Sequence, residues 1–230
     1  MVCGFMAQAG LFITFEGSEG CGKSTQIRRL AEFLRSLERE VVVLREPGAT
    51  PIGESIRNLL QYDASASAMT PETELLLFAA SLAQLVREVI RPTLARGAVI
   101  LCDRFLDSTT VYQGVARALD AGEVSRINDF AVGETLPNLT LLLDLDAAEG
   151  RRRAATRAAM TKGPTDRMEQ EQESFYEAVR QGYLKLAAKH SGRYAVVDAS
   201  SDEVGVESAI RRVLRERFQI GGEGELYGIH

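Results

Sequence analysis

Cysteine is scarce in this chain, long apolar runs are missing, and positive charge is not in excess; each shortage removes a class of protein. The three cysteines, Cys3, Cys21 and Cys102, are odd in number and lack metal-ligand spacing. That argues against a disulfide framework and for a reducing compartment. No apolar stretch reaches the roughly 20 residues that a membrane-crossing helix needs. Met1–Gly10 has neither a basic opening nor a long apolar centre, so neither a signal peptide nor a membrane span is expected there. A formal net charge of −5 counts against a broad nucleic-acid-binding surface while leaving room for local basic pockets. No internal repeat is evident. The expectation is a cytoplasmic, soluble α/β protein with no nucleic-acid or membrane partner; 230 residues are ample for one core.

What is present is organised around Gly17-Ser18-Glu19-Gly20-Cys21-Gly22-Lys23-Ser24-Thr25, which fits the phosphate-cradling loop G-x-x-x-x-G-K-[ST]. The glycines let backbone N–H groups turn inward around an anionic chain. Lys23 would reach the outer phosphates, and Ser24 would set its hydroxyl on Mg²⁺. The helix that follows aims its positive end at the same anion. Leu11–Phe15 is a β-prone run directly before the loop, and Ile27, Leu30, Ala31, Leu34 and Leu37 recur after it at helical spacing. A dinucleotide loop is disfavoured, because a third glycine would be needed where Thr25 stands. The expected ligand is a nucleoside triphosphate. Guanine-specific switches read their base with Asn-Lys-x-Asp; the nearest imitation, Thr161-Lys162-Gly163-Pro164, lacks the aspartate.

Along the chain, Val41–Leu44 is a second strand, stopped by Arg45-Glu46-Pro47-Gly48. A helix is expected over 52–60. Thr70 and Pro71 open a long helix with the stripe Leu75, Phe78, Ala79, Leu82, Val86, Val89 and Ile90, and Gly97 lies beyond its end. Val99–Cys102 is the third strand, closing at Asp103-Arg104, and helical segments follow near 108–117 and 123–133. Leu139–Leu143 ends at Asp144 and Tyr194–Val197 at Asp198. Phe175, Val179, Tyr183 and Leu186 mark one late helix; Val206, Ile210, Val213 and Leu214 mark the last. Continuous apolar strands alternating with helices imply a three-layer fold, a five-stranded parallel sheet flanked by helices. Ligands then collect beyond the carboxyl ends of the strands. The expected organisation is an extension over 1–10, one domain over 11–218 and a flexible tail over 219–230.

That rule sorts the polar residues. Asp103 and Asp144 end strands and could hold Mg²⁺ through water. Asp103 is favoured, because Arg104 follows at once as an anion-binding fork, whereas Asp144 has Asp146 nearby and no basic neighbour and reads as a cap. The segment 150–167 is basic and alanine-rich with few anchoring hydrophobes, and Arg153 and Arg157 share a helical face. It reads as a lid that closes over the triphosphate. Phosphoryl transfer needs charge neutralisation and alignment more than covalent help. Arg45, Arg57, Arg104 and the lid arginines therefore favour a monophosphate acceptor, already ionised, over a hydroxyl that needs a base. Glu46 is the residue placed to argue otherwise.

With these residues in place, the chain resembles the bacterial thymidylate kinases, from about Leu11 to Phe218. The resemblance rests on Arg45-Glu46-Pro47-Gly48 with Gly53-Glu54-x-Ile56-Arg57, Leu77-Phe78-Ala79-Ala80, and Asp103-Arg104-Phe105 with Ser108-x-x-x-Tyr112-Gln113-Gly114. It continues in Asp166-Arg167-x-Glu169 and Arg180-x-Gly182-Tyr183. It implies transfer of the ATP γ-phosphate to dTMP, giving dTDP, with Mg²⁺, by a homodimer packed through helices. Glu19 would face the sugar 3′-hydroxyl and phosphate, and Arg104 would hold the acceptor phosphate. Phe78 would stack on thymine, Thr109 and Gln113 would reach the base edge, and Tyr112 would exclude ribose. Arg45, Glu46 and Arg57 would line the same pocket. With no arginine among the loop's variable positions, Arg153 or Arg157 would stabilise the transferring group.

Two departures stand out. Leu82 replaces an arginine that in the family donates to the thymine carbonyl, and Phe105 replaces a frequent tyrosine. The competing readings are a deoxynucleoside kinase using Glu46 as base, and a nucleotide-binding regulator with little catalysis.

Overall fold

The computed structural model describes residues 10–160 and 172–221. The extension before Gly10, the segment carrying Lys162, Asp166, Arg167 and Glu169, and the tail beyond Gly221 lie outside the described residues. Five strands, β1 (Leu11–Glu16), β2 (Val41–Arg45), β3 (Val99–Asp103), β4 (Leu139–Asp144) and β5 (Tyr194–Asp198), form one parallel sheet in the order β2-β3-β1-β4-β5. β1, β3 and β4 are buried on both faces and mostly apolar, because both faces are covered. Leu11, Ile13 and Phe15 enter a core with α1 (Lys23–Ser36) and α9 (Glu203–Phe218). Phe12 enters a second core, with α3 (Pro71–Leu85) and α6 (Ala121–Val132), on the opposite face. A third cluster joins Tyr112, Val179, Tyr183 and Tyr194.

Local signals set the helix starts. Thr50 caps α2 (Pro51–Gln61), accepting from Gly53 N at 2.9 Å, and Thr70 caps α3 ahead of Pro71. The single long helix expected up to Gly97 is interrupted. α3 widens into a π turn over Val86–Ile90 before α4 (Arg91–Ala95). Pro92 has no N–H for the Glu88 carbonyl, and the ladder loosens there. A second π stretch, Thr110–Ala116, follows the short α5 (Leu106–Thr109).

The helix that carries the first part of the basic segment starts just ahead of it. α7 runs Ala147–Met160, and Asp146 accepts from the N–H groups of Ala148 and Glu149 at its first turn. Asp144 does have a basic neighbour, brought by α8 (Glu173–Lys189): Arg180 donates to both its oxygens, at 2.7 and 3.0 Å. Thirty-six positions separate the two, so adjacency in the chain could not reveal the pair.

Candidate active site

The glycine turn connects the buried end of β1 to α1. Gly22 stands before the first residue of α1 with φ of 94°, a conformation costly for any residue with a Cβ. Lys23 folds back into the loop, donating from Nζ to the Gly17 and Ser18 carbonyls at 3.1 and 2.9 Å. Cys21 is buried under it with Sγ 3.6 Å from Nζ, a small side chain filling the inside of the turn. The loop is pressed against the first turn of α7. A Cβ on Gly20 would come 2.0 Å from the Gly150 carbonyl oxygen, and one on Gly150 would come 2.5 Å from the Glu19 carbonyl oxygen. The loop and the first turn of α7 therefore meet backbone to backbone.

Ser24 and Asp103, far apart in the chain, meet at the sheet edge: Ser24 Oγ donates to Asp103 Oδ2 at 3.0 Å. Asp103 does not pair with its neighbour Arg104, whose guanidinium turns to the loop instead. Arg104 takes a left-handed backbone, φ 68°, while its N–H donates to the Phe15 carbonyl at 3.0 Å. Nη2 reaches Glu19 at 2.6 Å, Nη1 reaches the Gly17 carbonyl and Ser108 at 3.2 Å, and the guanidinium lies 4.9 Å from the centre of the Tyr112 ring. Burial works to raise the Glu19 carboxyl, but Arg104 and Lys23 outweigh it and hold it down at about 2. The loop therefore presents a pinned anion beside a pinned cation.

Behind Arg104 lies a buried acid. Glu16, the last residue of β1, accepts from Phe105 N at 2.8 Å and from the Ser108 and Tyr183 hydroxyls at 2.7 Å each. Burial, with Asp107 adding to it, pushes its carboxyl up to about 7, against the opposing pull of Arg104 and the two hydroxyls.

The second arginine group sits at the carboxyl end of β2. Arg45 is exposed and pairs with Glu54 at 2.7 Å, and Arg57 donates to the Pro47 carbonyl at 3.0 Å. Glu46 is buried and accepts from Ser81 at 3.1 Å, burial pushing its carboxyl well above the usual range. A cleft of about 510 Å³ opens between α1 and β2 beside these groups, with Ser24, Asp103 and Arg45 on its wall.

The residues expected at the base lie on α3, α5 and the π stretch, elements that pack against one another. Phe78 is half-buried on α3; Thr109, Tyr112 and Gln113 are buried on α5 and the π stretch. Tyr112 Oη has no hydrogen-bond partner among the described residues. Gln113 donates to Glu74 Oε1 at 2.8 Å, and Glu74 also pairs with Arg117 at 3.3 Å. Leu82 is almost fully buried in the core that also holds Phe12 and Phe105, part of the apolar stripe.

Of the two arginines expected to act from a lid, Arg157 approaches the loop, 3.8 Å from Glu19. Arg153 is turned to Glu149 at 2.7 Å and to the Ala199 carbonyl at 3.1 Å. Asp198, expected at this edge, is at the outer strand and accepts from Ser200 N.

A family model described as thymidylate kinase matches residues 15–210. The chain belongs to the thymidylate kinase family. It is 51% identical over 209 residues to the thymidylate kinase of Geobacter sulfurreducens, spanning 90% of this chain and 98% of that protein. With that of Pseudomonas entomophila it shares 48% over 206 residues, 90% of this chain and 95% of the relative. Its structure is similar to the crystal structure of thymidylate kinase from Ehrlichia chaffeensis, with a TM-score of 0.73 and 32% identity over 90% of this chain and 99% of the other.

Sequence reasoning missed several polar residues that this member of the thymidylate kinase family buries around its site. Glu16 carried one signal, a carboxylate closing an otherwise apolar strand. Glu74 and Arg117 carried none, since a charged residue on a helix reads as solvated. Arg180 was legible only as a piece of the resemblance, and Tyr183 besides that only as part of an apolar helix stripe.

Proposed function

We propose that this sheet edge transfers the γ-phosphate of ATP to dTMP, giving dTDP and ADP, with the triphosphate on the glycine turn and the acceptor phosphate on Arg104. The observation that supports it most is the setting of Arg104: partly exposed, bonded to the loop carbonyl of Gly17 and to Glu19, and stacked near Tyr112. A cation fixed at that point meets the acceptor phosphate where it must meet the transferring one. Lys23, now on the Gly17 and Ser18 carbonyls, has a short swing to the outer phosphates. In a reaction dominated by positioning and electrostatics, such pre-placed charges are the catalytic apparatus. Arg157 rather than Arg153 is the lid residue that neutralises the transferring group, because it already faces Glu19.

Ser24 and Asp103 offer two hard oxygens in mutual contact, the donor type that suits Mg²⁺. They would hold the ion, which would supply charge neutralisation at the β- and γ-phosphates. Phe78 stacks on the base, Thr109 and Gln113 meet its edge, Tyr112 crowds the 2′ position, and Arg45, Glu46 and Arg57 border the acceptor side. A homodimer packed through helices is part of the same proposal, supported by the wide exposure of Phe130 on α6. A cytoplasmic location belongs to it as well, and no helix among the described residues is long and apolar enough to cross a membrane.

Arg104→Met tests the reading. Transfer to dTMP should fall roughly 10²–10³-fold, the loss typical of one electrostatic stabiliser, with ATP binding retained. Unchanged kcat/KM for dTMP would remove the acceptor phosphate from Arg104.

A further inference from the structure

We propose that Glu74 is a specificity-determining positioning residue: its carboxylate fixes the orientation of the Gln113 side-chain amide, so that the site meets a pyrimidine through a hydrogen-bond acceptor. The inference rests on the reading that Gln113 meets the base edge. Glu74 is buried, and its Oε1 receives Gln113 Nε2 at 2.8 Å and Arg117 Nε at 3.3 Å. Ionised, it only accepts, so the amide must turn its NH₂ end to Glu74. The opposite end of the amide is then Oε1, to which no donor comes among the described residues. Glu74 and Phe78 lie one turn apart on α3 and share a face, so the oriented amide stands beside the ring assigned to stacking.

Arg117 keeps the carboxylate in place. Its guanidinium pairs with Glu74 and lies 5.0 Å from the centre of the Phe175 ring, which ties α3, the π stretch and α8 together. An amide free to rotate would offer either a donor or an acceptor to the base. Held by Glu74 it offers the acceptor. Thymine and uracil present N3–H as a donor, whereas cytosine presents a lone pair at N3. The Glu74–Gln113 pair therefore selects thymine and uracil against cytosine, a discrimination that does not need the arginine replaced by Leu82.

The test compares kcat/KM for dTMP and dCMP with ATP. Glu74→Ala should raise the dCMP to dTMP ratio about tenfold, the value of one hydrogen bond. Glu74→Gln should keep the wild-type ratio, because the Arg117 N–H retains the new carbonyl oxygen as acceptor for Gln113. In a Gln113→Leu background, Glu74→Ala should leave the ratio where Gln113→Leu put it. Equal loss for both acceptors in Glu74→Ala, with the ratio unchanged, would make Glu74 a packing residue and overturn the inference while sparing base reading by Gln113. A Gln113→Leu enzyme with the wild-type ratio would overturn that reading and the inference together. Should Glu74→Ala fail to fold, Glu74→Leu fills the same space without an acceptor and separates the same outcomes.

Discussion

Glu16→Gln isolates a pH dependence of stability built into the end of β1. The carboxyl of Glu16 is raised from 4.5 to about 7 in the folded protein, with burial the largest cause and Asp107 the next. A raised pKa means that the folded protein holds this proton more tightly than the unfolded chain does. The group then contributes stability that is complete below pH 4.5 and is lost as pH rises through about 7. Each tenfold difference in proton affinity is worth about 1.4 kcal/mol, so the loss across this window is about 3 kcal/mol. Glutamine keeps a carbonyl oxygen for Phe105 N and turns its NH₂ to the two hydroxyls, which rotate to accept, and it has no proton to lose. Urea denaturation of both proteins between pH 4.5 and 8 gives the difference in stability at each pH. The wild type should decline relative to the variant up to about pH 7 and run parallel to it above. A flat difference, or one in which the wild type gains with rising pH, would refute the account of a carboxyl raised by burial.

Three further outcomes follow from the site. Arg157→Ala should lower kcat roughly 10²–10³-fold while Arg153→Ala, which loses contacts to Glu149 and Ala199, should cost less than about tenfold; steady-state rates with saturating ATP and dTMP decide, and the reverse order would reassign the lid. Gly150→Ala puts a methyl 2.5 Å from the Glu19 carbonyl oxygen, so α7 must move off the loop at a cost of about 1–3 kcal/mol; an ATP dissociation constant raised roughly tenfold is expected, and an unchanged one would show that the contact is dispensable. Leu82→Arg places a charge in the core beside Phe12 and Phe105 and should destabilise the fold by at least about 3 kcal/mol; denaturation with unaltered stability would mean that the side chain escapes towards the base.

Much was legible in the chain because it depends on neighbours in sequence. Residue types at close spacing specify the glycine turn, the capping of α3 by Thr70 and Pro71, and the apolar strands, since backbone conformation and local hydrogen bonds answer to near residues. The parallel sheet follows from the alternation of strands and helices, and with it the edge at which Ser24, Asp103 and Arg104 gather. The pairings at that edge did not follow. Arg104 chooses Glu19 over adjacent Asp103, Asp144 finds Arg180 across 36 positions, and Gln113 finds Glu74 across 39. The helix through Val89 loosens into a π turn although its apolar stripe is unbroken. Such choices turn on which buried charges can be satisfied together, and burial is a property of the packed layers. Local spacing therefore determined the elements and the phosphate loop, and the tertiary structure decided the partner of each charge, because only packing takes a polar side chain out of water and obliges it to find one.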